Sequence, residues 1–354
     1  MTQIVGASVG APPSFLSAEQ SKIDLAELLP ERASARLARL VDESRIATRH
    51  VVAPVAELAR MRTMGERDTE FVKHAVPLGA SVARRTLDEA RISPMEVSAL
   101  VFVSSTSFMV PSLDSLLIRE LGLPPHVRRI PINQLGCSGG VGAIGLAAEL
   151  AGAEPSRNVL VVCVEIPSLS LPVAEPSLTD LVACTLLADG AAAALVSGGE
   201  RGRGPEVLAT RSLLFPEARE GGGARLTEAG FRMVQAVGLP RLARERLYGA
   251  VGEFLAPHGL APEDVAFWMV NPRSPQILEA IGDALRLDEA ALAPSWAAWE
   301  RNGNTISATI FFILDELRRS APPVDGSPGL MLSFGAGVTC EMALLRWHDF
   351  PTAG

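Results

Sequence analysis

The chain has 354 residues, 48% hydrophobic and 20% charged, with a formal net charge of −8. That length suits one large α/β unit or two fused halves around a sizeable core, and the apolar content excludes disorder over most of the chain. The mixed, acidic charge balance argues against nucleic acid as a partner, no run of about 18 apolar residues offers a membrane span, and the N-terminus MTQIVGASVGAPPSFL lacks the regions of a secretory signal, so a cytoplasmic protein is expected.

In chain order, residues 1–29 mix Pro, Gly and Ser with short apolar pieces, and Pro30 is placed to open a helix from Glu31 to about Val41. Residues 75–93 carry helical spacing through Val76, Leu78, Val82 and Leu87. A strand is predicted over Ala99–Val103, followed by the loop SSTSFMVPS and a helix Leu113–Leu121 capped by Ser112. A strand Val127–Ile132 leads through Asn133–Gly136 to Cys137, and the small, apolar GGVGAIGLAAELAGA that follows reads as a buried helix. Asn158–Cys163 and Ala191–Val196 are apolar enough to be strands covered on both faces. The second half offers helices over Pro240–Leu255, Pro275–Leu287 and Asn304–Arg319. Its strands fall at Val265–Val270, Gly329–Phe334 and Val338–Trp347, the last entered through the turn Gly335-Ala-Gly337.

LLADGAAAALVSG and SFGAGVTCEMALLRW each run from a glycine-containing turn into an apolar strand, a weak internal similarity that points to duplication. Residues 1–217 and 218–354 are the expected halves, with the polar Arg219–Ala224 as a linker or active-site loop. Packed together, two such halves give sheets with helices on both faces.

The four cysteines, Cys137, Cys163, Cys184 and Cys340, show neither C-x-x-C spacing nor a histidine cluster, which speaks against a zinc site or a disulfide framework. Cys163, Cys184 and Cys340 read as small buried apolar residues. Cys137 lies in QLGCSGG, between a strand and a glycine-rich helix. A helix N-terminus favours thiolate over thiol, and backbone N–H groups at such a turn can hold an oxyanion. Acyl transfer onto sulfur and a packed structural cysteine are both open readings from this local context.

Six blocks in order carry a more specific signal: QLGCSGGVGAIGLAAELA, VLVVCVE, LLADGAAAALVSG, FWMVNPRSPQILEAI, NGNTISATIFFILDELRR and FGAGVTCEMALL. Together they resemble the chalcone synthases and bacterial type III polyketide synthases. The resemblance implies a duplicated, five-layered αβαβα thiolase-like fold and a homodimer. It also implies a ketosynthase reaction: cysteine takes an acyl group from a CoA or acyl-carrier-protein thioester, a malonyl-type thioester loses carbon dioxide, and the enolate attacks the acyl-cysteine, with no permanently bound cofactor and no metal. An α-pyrone or resorcinol-type product fits such chemistry. The family's catalytic Cys, His and Asn fall on Cys137, Asn271 and Asn304.

Asn271 is a departure, because the family has histidine there, and none of His50, His74, His126, His258 and His348 fits that register. Asparagine accepts no proton but donates an amide N–H, so Asn271 and Asn304 are expected to stabilise an oxyanion as a pair. Three explanations compete: a natural enzyme with altered condensation, an engineered trapping variant, or an acyltransferase or thioesterase that does not condense. A non-enzymatic dimerising partner is disfavoured by the retained Cys137, Asn304 and glycine-rich turns.

The resemblance further implies Thr106, Leu187, Phe231, Gly335 and Gly337 in substrate binding, with Leu187 and Phe231 in the places of two aromatic gatekeepers, and Val110 reaching into the partner subunit's pocket. The aliphatic Leu187 suits a linear acyl chain. Arg36 and Arg39 stand where the family holds CoA phosphates, and Arg273, where it has glycine, is expected to reach a phosphopantetheine phosphate. For all three arginines a solvated surface role is the competing reading.

Overall fold

A computed structural model describes residues 1–26, 31–61, 63–107, 109–170, 178–199, 204–216, 222–227, 230–234 and 238–350. Nine strands share one sheet: Thr2–Gly10 (β1), Val97–Val103 (β2), Arg128–Ile132 (β3), Asn158–Glu165 (β4), Gly190–Gly198 (β5), Glu206–Leu214 (β6), Phe267–Val270 (β7), Pro328–Phe334 (β8) and Thr339–Arg346 (β9). Their spatial order is β7-β8-β9-β6-β1-β5-β4-β2-β3.

That order contains one pattern twice. β2 and β4 are parallel, and β5 then β1 continue antiparallel. β7 and β8 are likewise parallel, and β9 then β6 continue antiparallel. The copies meet where Gln3 of β1 pairs with Glu206 of β6.

Side-chain alternation within the strands builds the layers. Val101 and Val103 of β2, Val161 of β4, Met269 of β7 and Met331 of β8 enter one cluster with the helices Gly139–Gly152 and Thr309–Ser320. Leu100, Phe102 and Val162 point the other way, onto the long helix Met64–Ala90. Trp268, Leu330 and Leu344 meet the helices Leu239–Leu255 and Pro275–Leu285. The result is helix, sheet, helix, sheet, helix, with the two glycine- and phenylalanine-rich helices in the middle.

Several predicted boundaries move. The Pro, Gly and Ser mixture at the start hides a central strand, β1, whose Ile4 is fully buried. The helix expected over 75–93 already begins at Met64, because Thr63 and Glu66 form a reciprocal capping box there. Ser112 does not cap the next helix, which starts at Asp114; the Ser112 hydroxyl has no hydrogen-bond partner. β6 and the helix Glu289–Asn302 had no counterpart in the sequence reading. Residues 219–221 of the expected linker lie outside the described residues, as does Pro30, and Gly223–Thr227 forms a hairpin with Gly230–Val234.

Candidate active site

Cys137 sits in a tight turn, Gly136–Ser138, that runs straight into the helix Gly139–Gly152. Gly136 takes φ +60°, a left-handed conformation that favours glycine. Gly140 is needed for a different reason: a Cβ there would lie 2.2 Å from the Ser307 carbonyl. The helix start is thereby pressed against the turn Ile306–Ala308, which follows Asn304. The Ser105 hydroxyl fixes the approach, donating to the Asn133 carbonyl at 2.8 Å and accepting from Gly136 N–H at 3.0 Å.

The helix expected over Asn304–Arg319 begins only at Thr309, and the shortfall serves the site. Ile306 adopts φ +54°, which is costly for a β-branched residue and breaks the helix ahead of it. Asn304 is left in a buried turn. Its Oδ1 accepts from Ile306 N–H at 2.9 Å and from Thr309 Oγ1 at 3.3 Å. The Cys137 sulfur lies beside both ends of this amide: Nδ2 donates to it at 3.7 Å, and the thiol donates to Oδ1 at 3.8 Å, so that with Oδ1 already shared by two other donors Nδ2 is the group left for a thiolate. Its backbone is fixed too, since Asn304 N–H donates to the Leu186 carbonyl and its own carbonyl accepts from Ala188 N–H.

Asn271 directly follows β7 and is fully buried beside the same turn. Its Nδ2 donates to the Cys137 carbonyl at 3.1 Å and to the Ile306 carbonyl at 3.2 Å. Ser333 Oγ also donates to the Cys137 carbonyl, at 2.8 Å. Both amide hydrogens of Asn271 are thus engaged with backbone. It ties the nucleophile turn to the Asn304 turn, whereas the sequence reading expected it to donate to a substrate oxygen.

Burial pushes the Cys137 thiol up, and the negative charge of Glu165 adds to this; the charge of Arg273 and the Asn304 hydrogen bond act the other way. The helix N-terminus therefore does not decide the protonation state alone, as the sequence had implied. Arg273 has φ +56°, and its Nη1 donates to the Gly335 carbonyl at 2.9 Å. Gly335 in turn abuts the nucleophile turn so closely that a Cβ would fall 2.0 Å from Ser138 Oγ.

Glu165 went unassigned in the sequence reading. It ends β4, fully buried, and accepts from Ser307 Oγ at 2.5 Å, Thr106 Oγ1 at 2.9 Å and Ser105 N–H at 3.0 Å. Burial pushes its carboxyl up to about 7, against the lowering effect of these donors. A carboxylate closing the otherwise apolar run VLVVCVE was the available signal.

The remaining expected site residues divide into those at the cluster and those away from it. Thr106 reaches it through Glu165. Leu187 is half-buried and forms a bridge with Asn304. Gly337 packs the last turn onto the hairpin side, its N–H donating to the Gly222 carbonyl. Phe231 lies on the strand Gly230–Val234. Val110 is 96% exposed, and Arg36 and Arg39 project from the exposed face of the helix Glu31–Glu43. The histidines are elsewhere: His50 meets the Pro12 carbonyl, His74 meets Glu70, His348 meets Asp325, and His126 and His258 are exposed.

Known proteins show the same arrangement of chain. The family model for the N-terminal domain of chalcone and stilbene synthases matches residues 24–200, and that for their C-terminal domain matches residues 206–348. A 1,3,6,8-tetrahydroxynaphthalene synthase of Streptomyces peucetius subsp. caesius is 34% identical over 97% of this chain and 93% of its own length. An α-pyrone synthesis polyketide synthase-like protein of Mycobacterium tuberculosis is 30% identical over 96% of this chain and 89% of its own. The crystal structure of 1,3,6,8-tetrahydroxynaphthalene synthase from Streptomyces coelicolor A3(2), a bacterial type III polyketide synthase, superposes with a TM-score of 0.92 at 28% identity, covering 98% of this chain and 99% of that one. With its thiolase-like fold and its Cys137–Asn304 pair in place, the chain belongs to the chalcone and stilbene synthase family, the type III polyketide synthases, and is a condensing acyltransferase.

Proposed function

We propose that Cys137 carries the acyl group and that Asn304 is the amide donor to the reacting oxygens, with Asn271 holding the two turns together. The observation that supports this most is the Asn304 amide, fixed at Oδ1 by Ile306 N–H and presented through Nδ2 to the sulfur at 3.7 Å. The Cys137 thiolate attacks the carbonyl of a CoA or carrier-protein thioester. A carbon–sulfur bond to Cys137 forms, the original one breaks, and the departing thiolate takes up a proton. A malonyl-type thioester then loses carbon dioxide, and the electron pair of the broken carbon–carbon bond becomes an enolate. The enolate attacks the acyl carbon on Cys137, which leaves as thiolate, and a β-ketoacyl thioester results. A fixed amide donor is most valuable where negative charge develops, on the enolate oxygen and the tetrahedral intermediate.

The finer assignments follow from position. Leu187, joined to Asn304, makes a linear acyl chain the favoured starter. The two relatives, by name, make a tetrahydroxynaphthalene and an α-pyrone, so a cyclised polyketide is the product class proposed here, an α-pyrone or a resorcinol. Arg36 and Arg39 are exposed and available to thioester phosphates. The protein acts as a homodimer, with the exposed Val110 directed to the partner's pocket.

The test is peptide mass spectrometry on Cys137 after exposure to a panel of acyl-CoA thioesters, coupled to carbon dioxide release from malonyl-CoA. An acyl adduct on Cys137, carbon dioxide release, and loss of both adduct and product in C137A are expected. An adduct without carbon dioxide from any malonyl donor would favour simple acyl transfer. No adduct from any thioester would sink the reading.

A further inference from the structure

We infer that Arg273 is the cation that favours the Cys137 thiolate against the cost of its burial, so that a fixed guanidinium takes the place of the imidazolium a histidine would supply; this rests on Cys137 being the acyl-carrying nucleophile.

Three observations place the charge. First, Arg273 is held where it is by its own backbone and side chain. Its φ of +56° is a conformation that non-glycine residues adopt at a cost, its N–H meets Asn271 Oδ1 at 3.4 Å, and its Nη1 donates to the Gly335 carbonyl at 2.9 Å. Gly335 is packed on Ser138 and Leu135, the residues flanking Cys137 on either side of the turn, so the guanidinium is anchored to the nucleophile turn itself. Second, among the described residues no carboxylate lies within ion-pair distance of Arg273, whereas Arg232, Arg301 and Arg346 each have one. Third, Asn271 has no hydrogen left for the sulfur, because both go to the Cys137 and Ile306 carbonyls.

Among the described residues, two charges of opposite sign bear on the sulfur: Arg273 favours the thiolate and Glu165 disfavours it. Glu341, from β9, faces Gly142 further along the helix, where Ser212 Oγ donates to it at 2.6 Å. Asn304 contributes a neutral hydrogen bond to the sulfur. Arg273 is therefore the positive charge in this set among the described residues. It is a positioning residue in the electrostatic sense: it is tied to the nucleophile turn through Gly335 and sets how much thiolate is present before substrate arrives.

The experiment is the pH dependence of Cys137 alkylation by iodoacetamide, followed by peptide mass spectrometry on the intact chain, for wild type, R273K, R273Q and R273G. R273G removes the charge while relieving the left-handed backbone, so it stays folded even where R273Q does not. Losing a nearby opposite charge moves a titration midpoint by about 1 unit or more. The profiles of R273Q and R273G are therefore expected to shift upward by about 1 unit, with alkylation near pH 7 roughly tenfold slower, and R273K is expected to keep part of the effect. A midpoint unchanged in R273G overturns the inference. So does a rise in KM for acyl-CoA without any shift in the profile, which would instead make Arg273 a phosphate ligand. If Cys137 takes up an acyl group while the profile stays fixed, only this inference fails; if Cys137 takes up none, the acyl-carrier reading itself fails.

Discussion

Asn304 and Asn271 carry the same side chain, come from the same half of the chain and are 3% and 0% exposed beside the same cysteine. They differ in what their amide hydrogens meet. Asn304 shares its oxygen among Ile306 N–H, the Thr309 hydroxyl and the Cys137 thiol, and offers its nitrogen to the Cys137 sulfur. Asn271 spends its nitrogen on two backbone carbonyls. Residue type and proximity to a nucleophile are therefore not enough to assign a chemical role. What decides it is which end of the amide the surrounding backbone has already satisfied.

Substitutions separate the two roles. The largest effect is expected from N304D, which keeps the acceptor for Ile306 N–H and removes the donor at the sulfur. Condensation should fall by about 10²–10³, the usual loss for one oxyanion donor, with the melting temperature nearly unchanged; steady-state product formation and thermal unfolding measure the two sides. N271A should act on the fold instead. It removes two buried hydrogen bonds at once, leaving the Ile306 carbonyl with Thr309 N–H and the Cys137 carbonyl with Ser333, a loss of about 3 kcal/mol, read from the shift of the denaturant midpoint.

Glu165 adds a pH dependence to this buried cluster. Its carboxyl is pushed from 4.5 up to about 7, so between those values the folded chain holds a proton that the unfolded chain has released. Stability should accordingly decline as pH rises from about 4.5 through about 7 and level off above, by on the order of 3 kcal/mol for this group. E165Q should remove its share of that slope, leaving the comparable contribution of Asp189, which burial pushes up to about 6, and that of Glu341, which burial also pushes up. Denaturant midpoints at several pH values in both proteins test this, and an identical slope in the two would refute it. The smallest effect is expected from S333A. The Cys137 carbonyl keeps Asn271, so the cost should be about 1 kcal/mol, visible as a small drop in melting temperature with acylation of Cys137 preserved.

Much of this was legible from residue order. Cys137 stood out because a strand, a glycine and a small-residue helix announce a turn that backbone and substrate can approach closely. Asn304 stood out only through resemblance, and its helix was placed too early, because nothing local to NGNTISAT reveals that Ile306 turns left-handed. The helical spacing of the apolar residues that follow suggests an earlier start, and the tertiary contact between Gly140 and the Ser307 carbonyl overrides it. Asn271 was placed correctly in sequence, but the direction of its amide depends on carbonyls of residues 137 and 306, remote in the chain. Glu165 was passed over inside an apolar strand, since its partners Ser105, Thr106 and Ser307 come together only through the fold. β1 was missed because glycines and prolines around it read as loop, although Gly6 is needed where the Thr86 carbonyl comes within 2.6 Å of a would-be Cβ.

The most direct test of the difference between the asparagines is the rate of Cys137 acylation per folded molecule, from a single acyl-CoA, in N304D and N271A side by side. N304D should be slower than wild type by about 10² or more, while N271A, corrected for its unfolded fraction, should remain within about tenfold. The reverse order, with N271A the slower of the two per folded molecule, would contradict the assignment of Asn304 to the chemistry and Asn271 to the scaffold.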